Sequence, residues 1–126
     1  MAQINQKTIL IVEDEYFLAE TIKVRLEYMG FAVLLAENGQ QALDMMPLQK
    51  IDLVLMDIIM PVLDGLKAIR MLREREKYKN LPIIVLTAKA RESDREDSMK
   101  AGASAYLSKP FEMEDLMQLL RQFIPL

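Results

Sequence analysis

The stretch Ile51–Gly65, IDLVLMDIIMPVLDG, decides the fold predicted for this chain. It begins with the unbroken apolar run Leu53–Met56, which is typical of a strand buried on both faces of a sheet. A carboxylate, Asp57, follows this run directly. Pro61 then breaks the strand pattern, and the Asp-Gly pair at 64–65 predicts a turn before a helix begins. The sequence therefore predicts a buried central strand that delivers an acidic side chain at its end.

Apolar runs of strand length alternate with helical patterns on both sides of this stretch. The other predicted strands are Thr8–Val12, Phe31–Ala36, Ile83–Leu86 and Ala105–Leu107. The predicted helices are 18–29, 41–46, 66–76, 91–101 and 113–123, in which apolar residues recur at three- and four-residue steps. Met99 is expected to face inward from the polar fourth helix. The breaks between elements are predicted at Gly30, at an Asn38-Gly39 turn, at Pro47 and at Gly102.

The strand order follows from how continuously apolar each strand is. Alternating strands and helices predict a parallel sheet covered by helices on both faces. The first, third and fourth strands are the most apolar, so they are predicted in the middle, with the shorter second and fifth strands at the edges. The result is a doubly wound α/β sheet of five strands in the order 2-1-3-4-5. In such sheets, ligands bind at the carboxyl ends of the strands beside the switch point between strands one and three.

Composition excludes several classes of function. The 126 residues are expected to form one domain, 1–126, with residues 1–6 as a flexible extension. The chain has no cysteine and no histidine, which removes thiolate chemistry, nitrogen or sulfur metal ligands and the commonest general base. A net charge of −3 with interspersed signs argues against direct nucleic-acid binding. Without a signal peptide or a membrane-length apolar run, a cytoplasmic protein with no membrane partner is expected.

Polar side chains occur at the ends of four predicted strands. Glu13 and Asp14 follow the first strand, Asp57 the third, Thr87 ends the fourth, and Lys109 follows the fifth. Neighbouring strands lie about 4.8 Å apart, so the acidic side chains are expected to meet, with the threonine beside them. The lysine begins roughly 10 Å away, a distance that its long side chain can span.

This set of residue types predicts phosphoryl chemistry. Three crowded carboxylates repel one another unless a cation neutralises them, and an all-oxygen site suits Mg²⁺. A hydroxyl and an ammonium aimed at Asp57 would bind the oxygens of a phosphoryl group on that residue. The predicted reaction is attack of the Asp57 carboxylate on phosphorus, which gives an aspartyl phosphate. The chain has no Gly-rich nucleotide loop, so the donor is expected to come from outside.

Four sequence motifs resemble those of the response regulator receiver domains of two-component systems. They are ILIVEDE, LVLMDIIMPVLDG, PIIVLTA and AGASAYLSKPF, in the order and approximate spacing of that family. The resemblance covers essentially the whole chain and implies the flavodoxin-like (βα)5 receiver fold. The segment LTAKARESDREDSMKAGASAYLSKP is also similar to the receivers of hybrid histidine kinases.

The resemblance assigns a role to each matching residue. It implies that Asp57 accepts a phosphoryl group from a phosphohistidine on a sensor histidine kinase or a histidine phosphotransfer protein. It makes metal ligands of Glu13, Asp14, Asp57 and the backbone carbonyl of Ile59, with Mg²⁺ as the cofactor. Thr87 and Lys109 would bind the phosphoryl oxygens, and the Lys109-Pro110 peptide bond would be cis. Tyr106 would be an aromatic switch that turns inward when Thr87 moves, with output through the fourth helix, fifth strand and fifth helix.

Two residues depart from the commonest pattern of the family. Glu13 stands where Asp is frequent, and its longer side chain is expected to bind the metal through water. Ile59 is apolar where many relatives are polar, which predicts slow self-dephosphorylation. On this reading the protein is a signalling phosphoacceptor that catalyses only its own phosphorylation and dephosphorylation, and the target of its output is unknown.

Each of these residues also has an ordinary alternative role. The acidic pair could cap the first helix, Asp57 could form a turn, and Tyr106 could be a packing aromatic. These ordinary roles do not explain why five such side chains are predicted together at one edge of the sheet. The five are Glu13, Asp14, Asp57, Thr87 and Lys109. The main functional alternative is a receiver-like module that binds a partner protein without phosphorylation. A nucleotide- or flavin-dependent enzyme would need a glycine- or hydroxyl-rich loop after the first strand, where this chain is acidic.

Overall fold

A computed structural model describes residues 6–60, 62–88 and 91–124. The predicted strand break at Pro61 lies outside these residues. Of the predicted flexible extension at 1–6, only Gln6 lies within the described residues. Its side-chain amide donates a hydrogen bond to the Gly30 carbonyl. Among the described residues, no helix is long and apolar enough to cross a membrane.

The sheet has five parallel strands in the predicted order. Their bounds are β1 Thr8–Val12, β2 Ala32–Ala36, β3 Leu53–Met56, β4 Ile83–Thr87 and β5 Ala105–Ser108, and they lie side by side as β2-β1-β3-β4-β5. Every residue of β3 is buried, and so is every residue of β4, as their continuous apolar sequences predict. The fold class and strand order predicted from the sequence are therefore confirmed.

Among the described residues, five α-helices cover the two faces of this sheet. They are α1 Tyr16–Tyr28, α2 Gly39–Met45, α3 Gly65–Arg73, α4 Glu92–Ala101 and α5 Met113–Phe123. Successive side chains of a strand point to opposite faces, so β3 feeds two separate cores. Val54 and Met56 pack in one core with Ile69 and Leu72 of α3. Leu53 and Leu55 pack in the other core with residues of α1 and α5.

Two predicted turns are helix caps instead. Asn38 was expected to form a turn with Gly39, but its side chain accepts a hydrogen bond from the Gln41 amide at 2.8 Å and caps α2, which begins at Gly39. Asp64 caps α3 in the same way through the Lys67 amide, at 3.0 Å. Asn and Asp are good turn formers and good helix caps for the same reason, since a short polar side chain can accept from a nearby backbone N–H.

Two helices end differently from the prediction. The predicted second helix stops at Met45, and Pro47 lies inside a 3-10 turn at Met46–Leu48. The third helix ends at Arg73 rather than Glu76, and a second 3-10 turn follows at Glu76–Tyr78. Proline is tolerated near the start of such a turn because its missing N–H has no helical partner there.

The inward face of α4 was predicted wrongly. Met99 was expected to be buried, but 38% of it is exposed. The residues that α4 buries are Asp94, Ser98 and Ala101, and the Ser98 hydroxyl donates back to the Asp94 carbonyl at 3.0 Å. α4 thus buries no large apolar side chain, whereas α3 and α5 bury leucines on a clear apolar face. Gly102 ends α4 with a φ of 119°, as predicted for a glycine cap.

Candidate functional site

The register of the parallel strands brings two acidic residues together at one end of the sheet. Val12 of β1 pairs with Met56 of β3, and each is followed directly by an acid, Glu13 or Asp57. The Asp57 amide donates to the Val12 carbonyl at 3.0 Å, which extends the ladder to the rim. This ladder follows from the two apolar runs, because a one-residue slip would move every side chain of a strand to the opposite face and disrupt the packing of both cores.

Glu13, Asp14 and Asp57 form an acidic cluster. One carboxylate oxygen from each lies within 4.8 Å of the others. Glu13 and Asp57 are buried, with 5% of each exposed, whereas Asp14 is exposed and open to an incoming ion. Three carboxylates without histidine or cysteine suit a hard, oxygen-seeking cation such as Mg²⁺, so the residues present fit the metal that the sequence predicts.

Lys109 is the cation that faces this cluster. Its Nζ lies 2.7 Å from Glu13 Oε1, 3.1 Å from Asp57 Oδ2 and 3.5 Å from Glu15 Oε1. Its backbone amide donates to the Thr87 carbonyl at 2.8 Å, which fixes the start of the side chain beside β4. The Lys109-Pro110 peptide bond is cis, as the resemblance implied. The structure therefore brings the lysine to the carboxylate that the sequence singled out.

Thr87 lies at the end of the strand next to β3, and Ile59 follows Asp57 by two residues. Thr87 is the last residue of β4 and is fully buried, on the strand next to the one that carries Asp57. The Ile59 amide donates to Asp57 Oδ1 at 3.0 Å, while 48% of Ile59 is exposed. Both oxygens of Asp57 are thus held, one by a backbone amide and one by an ammonium. The metal-ligand role of the Ile59 carbonyl stays a prediction.

Burial and charge shift the pKa values of Glu13 and Lys109. Burial raises the pKa of the Glu13 carboxyl to about 7, and the negative charge of Asp57 also raises it. Hydrogen bonds from Lys109 and from the Glu15 amide lower this pKa, but by less than burial raises it. Burial also lowers the pKa of Lys109, but its hydrogen bonds to Glu13 and Asp57 outweigh this effect, and the pKa lies above its ordinary value. Lys109 therefore stays charged and neutralises the cluster in part.

Tyr106 lies on β5, where it pairs with Val85 of β4. The residue is half-buried and packs against the core on the α3 side of the sheet. Its hydroxyl oxygen is buried and has no hydrogen-bond partner among the described residues. Burial raises the pKa of this phenol, an interaction with the Ser108 side chain that does not reach hydrogen-bond geometry lowers it, and the negative charge of Asp94 raises it. The ring position suits the predicted switch, whose role stays a prediction.

Sequence reasoning missed two features of the rim. Glu15 reaches Lys109 and also donates its backbone amide to Glu13 Oε2 at 3.1 Å. Its place in the acidic run EDE was the available signal. Val62 has a φ of 72° and is 81% exposed, a backbone conformation that is uncommon for a β-branched residue. It lines a cleft with Tyr16 of α1 beside the acidic cluster, and no sequence pattern pointed to that cleft.

Comparison with known proteins agrees with this geometry. Residues 9–121 match the family model described as the response regulator receiver domain. The response regulator MprA of Mycolicibacterium vanbaalenii is 40% identical over 116 residues, which are 92% of this chain and 49% of the relative. The chain thus spans about half the length of the curated relatives that it matches.

Solved structures share the fold over nearly the whole chain. The receiver domain of the sensor histidine kinase PA1611 from Pseudomonas aeruginosa PAO1, solved with a magnesium ion coordinated in its active-site cleft, is 39% identical, with a TM-score of 0.85 and coverage of 94% of this chain and 97% of that one. The chemotaxis protein CheY4 of Vibrio cholerae is 27% identical, with a TM-score of 0.89 and coverage of 94% and 99%.

Proposed function

Because this chain belongs to the family of response regulator receiver domains, we propose that Asp57 accepts a phosphoryl group in a Mg²⁺-dependent reaction. The donor is a phosphohistidine on a sensor histidine kinase or a histidine phosphotransfer protein. One observation carries the proposal. The buried carboxylate of Asp57 is held between an amide on Oδ1 and the Lys109 ammonium on Oδ2, at the open end of a parallel sheet.

The residues around Asp57 can perform each part of this reaction. A carboxylate oxygen of Asp57 attacks phosphorus, the P–N bond to the donor histidine breaks, and the imidazole leaves with its electron pair. The Lys109 ammonium and the Thr87 hydroxyl bind phosphoryl oxygens and stabilise the charge that develops on them. Glu13, Asp14 and Asp57 would hold the metal, with the Ile59 carbonyl as the further proposed ligand. Bound Mg²⁺ would neutralise charge between the carboxylates and the phosphoryl group.

A bound Mg²⁺ ion would also explain how a dianionic phosphoryl group can approach an acidic cluster. Without a bound metal ion, three carboxylates repel the incoming group, and the single charge of Lys109 offsets only part of that repulsion. The structure of the similar PA1611 receiver holds magnesium in its cleft, which supports the choice of ion for this chain.

The proposed output is a change at the surface of α4, β5 and α5. Tyr106 lies on β5, and its buried hydroxyl has no hydrogen-bond partner in the part of the chain that the structure describes. α4 buries no large apolar side chain, so both elements can respond to a movement of Thr87. The exposed Ile59 is proposed to shield the phosphoryl group from water and to slow its hydrolysis. A phosphoryl lifetime that is the same in the wild type and in Ile59→Asn would contradict this last point.

The test is incubation with Mg²⁺ and a small phosphodonor such as acetyl phosphate, followed by intact-mass measurement. The wild type is expected to gain the mass of one phosphoryl group, and Asp57→Asn is expected to gain none. Asp97→Asn, an exposed acid on α4, is the matched control and should react like the wild type. Wild-type protein that gains no mass would favour the alternative, a receiver-like module that binds its partner without phosphorylation.

A further inference from the structure

A cleft opens at the amino end of the sheet, opposite the rim that carries Asp57. Its two walls are the loops that lead into β3 and β4, each of which contains a 3-10 turn, at Met46–Leu48 or at Glu76–Tyr78. Roughly 17 Å of extended chain separates Asp52, at this end, from Asp57. The cleft has a volume of about 610 Å³, which is in the range of sites that bind ligands. A ligand can therefore occupy it without touching Asp57.

Hydrogen bonds fix both walls of the cleft. The Asp52 amide donates to the Thr8 carbonyl at 2.8 Å, and Asp52 Oδ2 accepts from the Thr8 amide, also at 2.8 Å, so the loop before β3 is tied to β1. The loop before β4 is held by Arg73, which donates to the Tyr78 carbonyl at 2.6 Å. Because these walls are ordered already, a ligand that binds between them has little ordering entropy to overcome.

Much of the cleft lining is apolar. The apolar and aromatic residues that line it are Pro47, Ile51, Tyr78, Leu81 and Pro82. Leu48, next to Pro47, is 78% exposed and adds apolar surface beside the cleft. An apolar side chain that entered here would leave water and pack against these residues, which is favourable.

Two lysines line the cleft, one on each wall. The Lys50 side chain is 85% exposed, and its Nζ makes only a long contact of 3.8 Å with Asp52 Oδ1. Lys77 makes no ion pair within the described residues, and its Nζ lies 5.7 Å from the centre of the Tyr78 ring. Asp52 is the one acid among the described lining residues, and its Oδ2 is occupied by the Thr8 amide. The charge that a ligand meets in the cleft is therefore mainly positive.

We infer that this cleft is a second docking site, which binds an acidic segment of a partner protein. Carboxylates of the segment pair with Lys50 and Lys77, and an apolar side chain between them packs on the lining. Charge complementarity identifies the partner, because two ammonium groups on opposite walls, without close counter-charges, attract carboxylates. The site lies at the other end of the sheet from Asp57, so its occupancy does not depend on phosphoryl transfer.

The same features disfavour a membrane surface or a nucleic acid as the ligand. Those polyanions are bound by broad arrays of basic residues. Here two lysines flank a recessed apolar lining, and the charge of Asp52 repels phosphate groups. A short acidic segment that carries an apolar side chain matches both the charge and the lining of the cleft.

Fluorescence anisotropy tests the site with a labelled pentapeptide in which leucine stands between two pairs of glutamates. The wild type is expected to bind this peptide saturably, and Lys50→Gln/Lys77→Gln is expected to bind it at least about tenfold more weakly. Glycine in place of the central leucine is expected to weaken binding by the wild type about fivefold, because less apolar surface is buried. No saturable binding by the wild type, or equal affinity for the two peptides, would overturn the inference.

A matched double variant separates the cleft from the change in net charge. Lys67→Gln/Lys100→Gln removes the same charge from exposed lysines of α3 and α4. Its affinity for the leucine peptide is expected to stay within about twofold of the wild type. Equal weakening in the two double variants would assign the binding to net charge and overturn the inference.

Two other outcomes would give the cleft a different occupant and also overturn the inference. One is self-association of the wild type in sedimentation equilibrium that Lys50→Gln/Lys77→Gln abolishes, which would assign the cleft to a second copy of this chain. The other is retention on phosphatidylserine vesicles that the same variant abolishes, which would assign the cleft to a membrane surface. The wild type is expected to stay monomeric and unretained in these two assays.

A chemical-shift map of the wild type decides the location of the peptide even where a variant does not fold. At saturation, the leucine peptide is expected to shift the backbone amide resonances of Gln49, Lys50 and Asn80, which line the cleft. The resonances of Asp57 and Lys109 are expected to stay unchanged. Shifts confined to the carboxyl end of the sheet would place the peptide elsewhere and overturn the inference.

Discussion

Lys109 connects the separate parts of the site at the scale of single residues. Its backbone is tied to β4 through the Thr87 carbonyl, and its ammonium reaches carboxylates that follow β1 and β3. The same side chain thus neutralises the acidic cluster and stands beside the proposed nucleophile. A lysine suits this task because its compact charge is carried on a long, flexible chain.

The raised pKa of Glu13 predicts how the stability of the metal-free protein depends on pH. The folded protein keeps the Glu13 proton up to about pH 7, whereas an ordinary glutamate releases it near 4.5. Between these two pH values the folded state binds more protons than the unfolded state, so stability falls as the pH rises. The contribution of Glu13 to the free energy of unfolding is therefore complete below pH 4.5 and is lost as the pH rises through 7. Glu13→Gln cannot titrate and is expected to lose less stability over that range.

Urea unfolding in the presence of a chelator, at several pH values across that window, measures this difference. Glu96→Gln is the matched control, because Glu96 is an exposed acid on α4 far along the chain from the rim. Its stability should follow the wild type at every pH. Parallel stability curves for the wild type and Glu13→Gln would show that Glu13 titrates normally.

Removal of the Tyr106 hydroxyl is expected to make the protein more stable. It is buried without a hydrogen-bond partner among the described residues, so removing it relieves an unmet desolvation cost. Tyr106→Phe is expected to raise the free energy of unfolding by up to about 1 kcal/mol. Tyr28→Phe is the control, because Tyr28 is 89% exposed and its hydroxyl is solvated. Destabilisation of Tyr106→Phe in chemical denaturation would mean that the hydroxyl has a partner in solution.

At the scale of elements, the end of α4 is tied to α3 by one side chain. Arg73 of α3 donates to the Gly102 carbonyl at 2.9 Å and to the Tyr78 carbonyl at 2.6 Å, and its other nitrogen reaches Ser104 Oγ at 3.4 Å. A Cβ on Gly102 would lie 2.6 Å from Arg73 Cγ, so the glycine makes room for the arginine stem. α4 is therefore anchored at its C-terminal end, while its buried face offers few apolar contacts.

This anchor predicts a measurable loss of stability. Arg73→Ala leaves carbonyl acceptors of two loops without their donor and is expected to lower the free energy of unfolding by about 2–3 kcal/mol. Arg70→Ala, one turn earlier on the exposed face of α3, should change it by less than about 0.5 kcal/mol. Denaturation curves that coincide for the two variants would show that the Arg73 contacts contribute no net stability.

At the scale of the whole molecule, most of the fold and the site could be predicted because both depend on strand order. Continuous apolar runs identify the central strands, and in a parallel sheet their carboxyl ends must share one rim. The placement of Asp57, Thr87 and Lys109 at one rim could therefore be predicted from sequence position alone, and their roles stay predictions. Family resemblance was needed for the roles of Ile59 and Tyr106, which no periodic pattern marks.

The features that escaped prediction depend on side-chain geometry. The pairing of Lys109 with Glu13 at 2.7 Å, and the hydrogen bond from the Glu15 amide to Glu13, depend on side-chain conformations that no sequence pattern specifies. The register of α4 was misread because Asp94 and Ser98, rather than Met99, face inward, and a polar helix has no apolar stripe to set its orientation. Asn38 formed a cap instead of a turn because the same side-chain oxygen can serve either structure.

The proposed acyl phosphate on Asp57 can be detected by chemical reduction. Borohydride reduces an acyl phosphate to an alcohol, so reduction after treatment with Mg²⁺ and acetyl phosphate, followed by peptide mass mapping, identifies the modified side chain. Conversion is expected at position 57 alone, and no conversion is expected when Mg²⁺ is chelated. Conversion at Glu13 or Asp14 with position 57 intact, or no conversion anywhere in the chain, would contradict it.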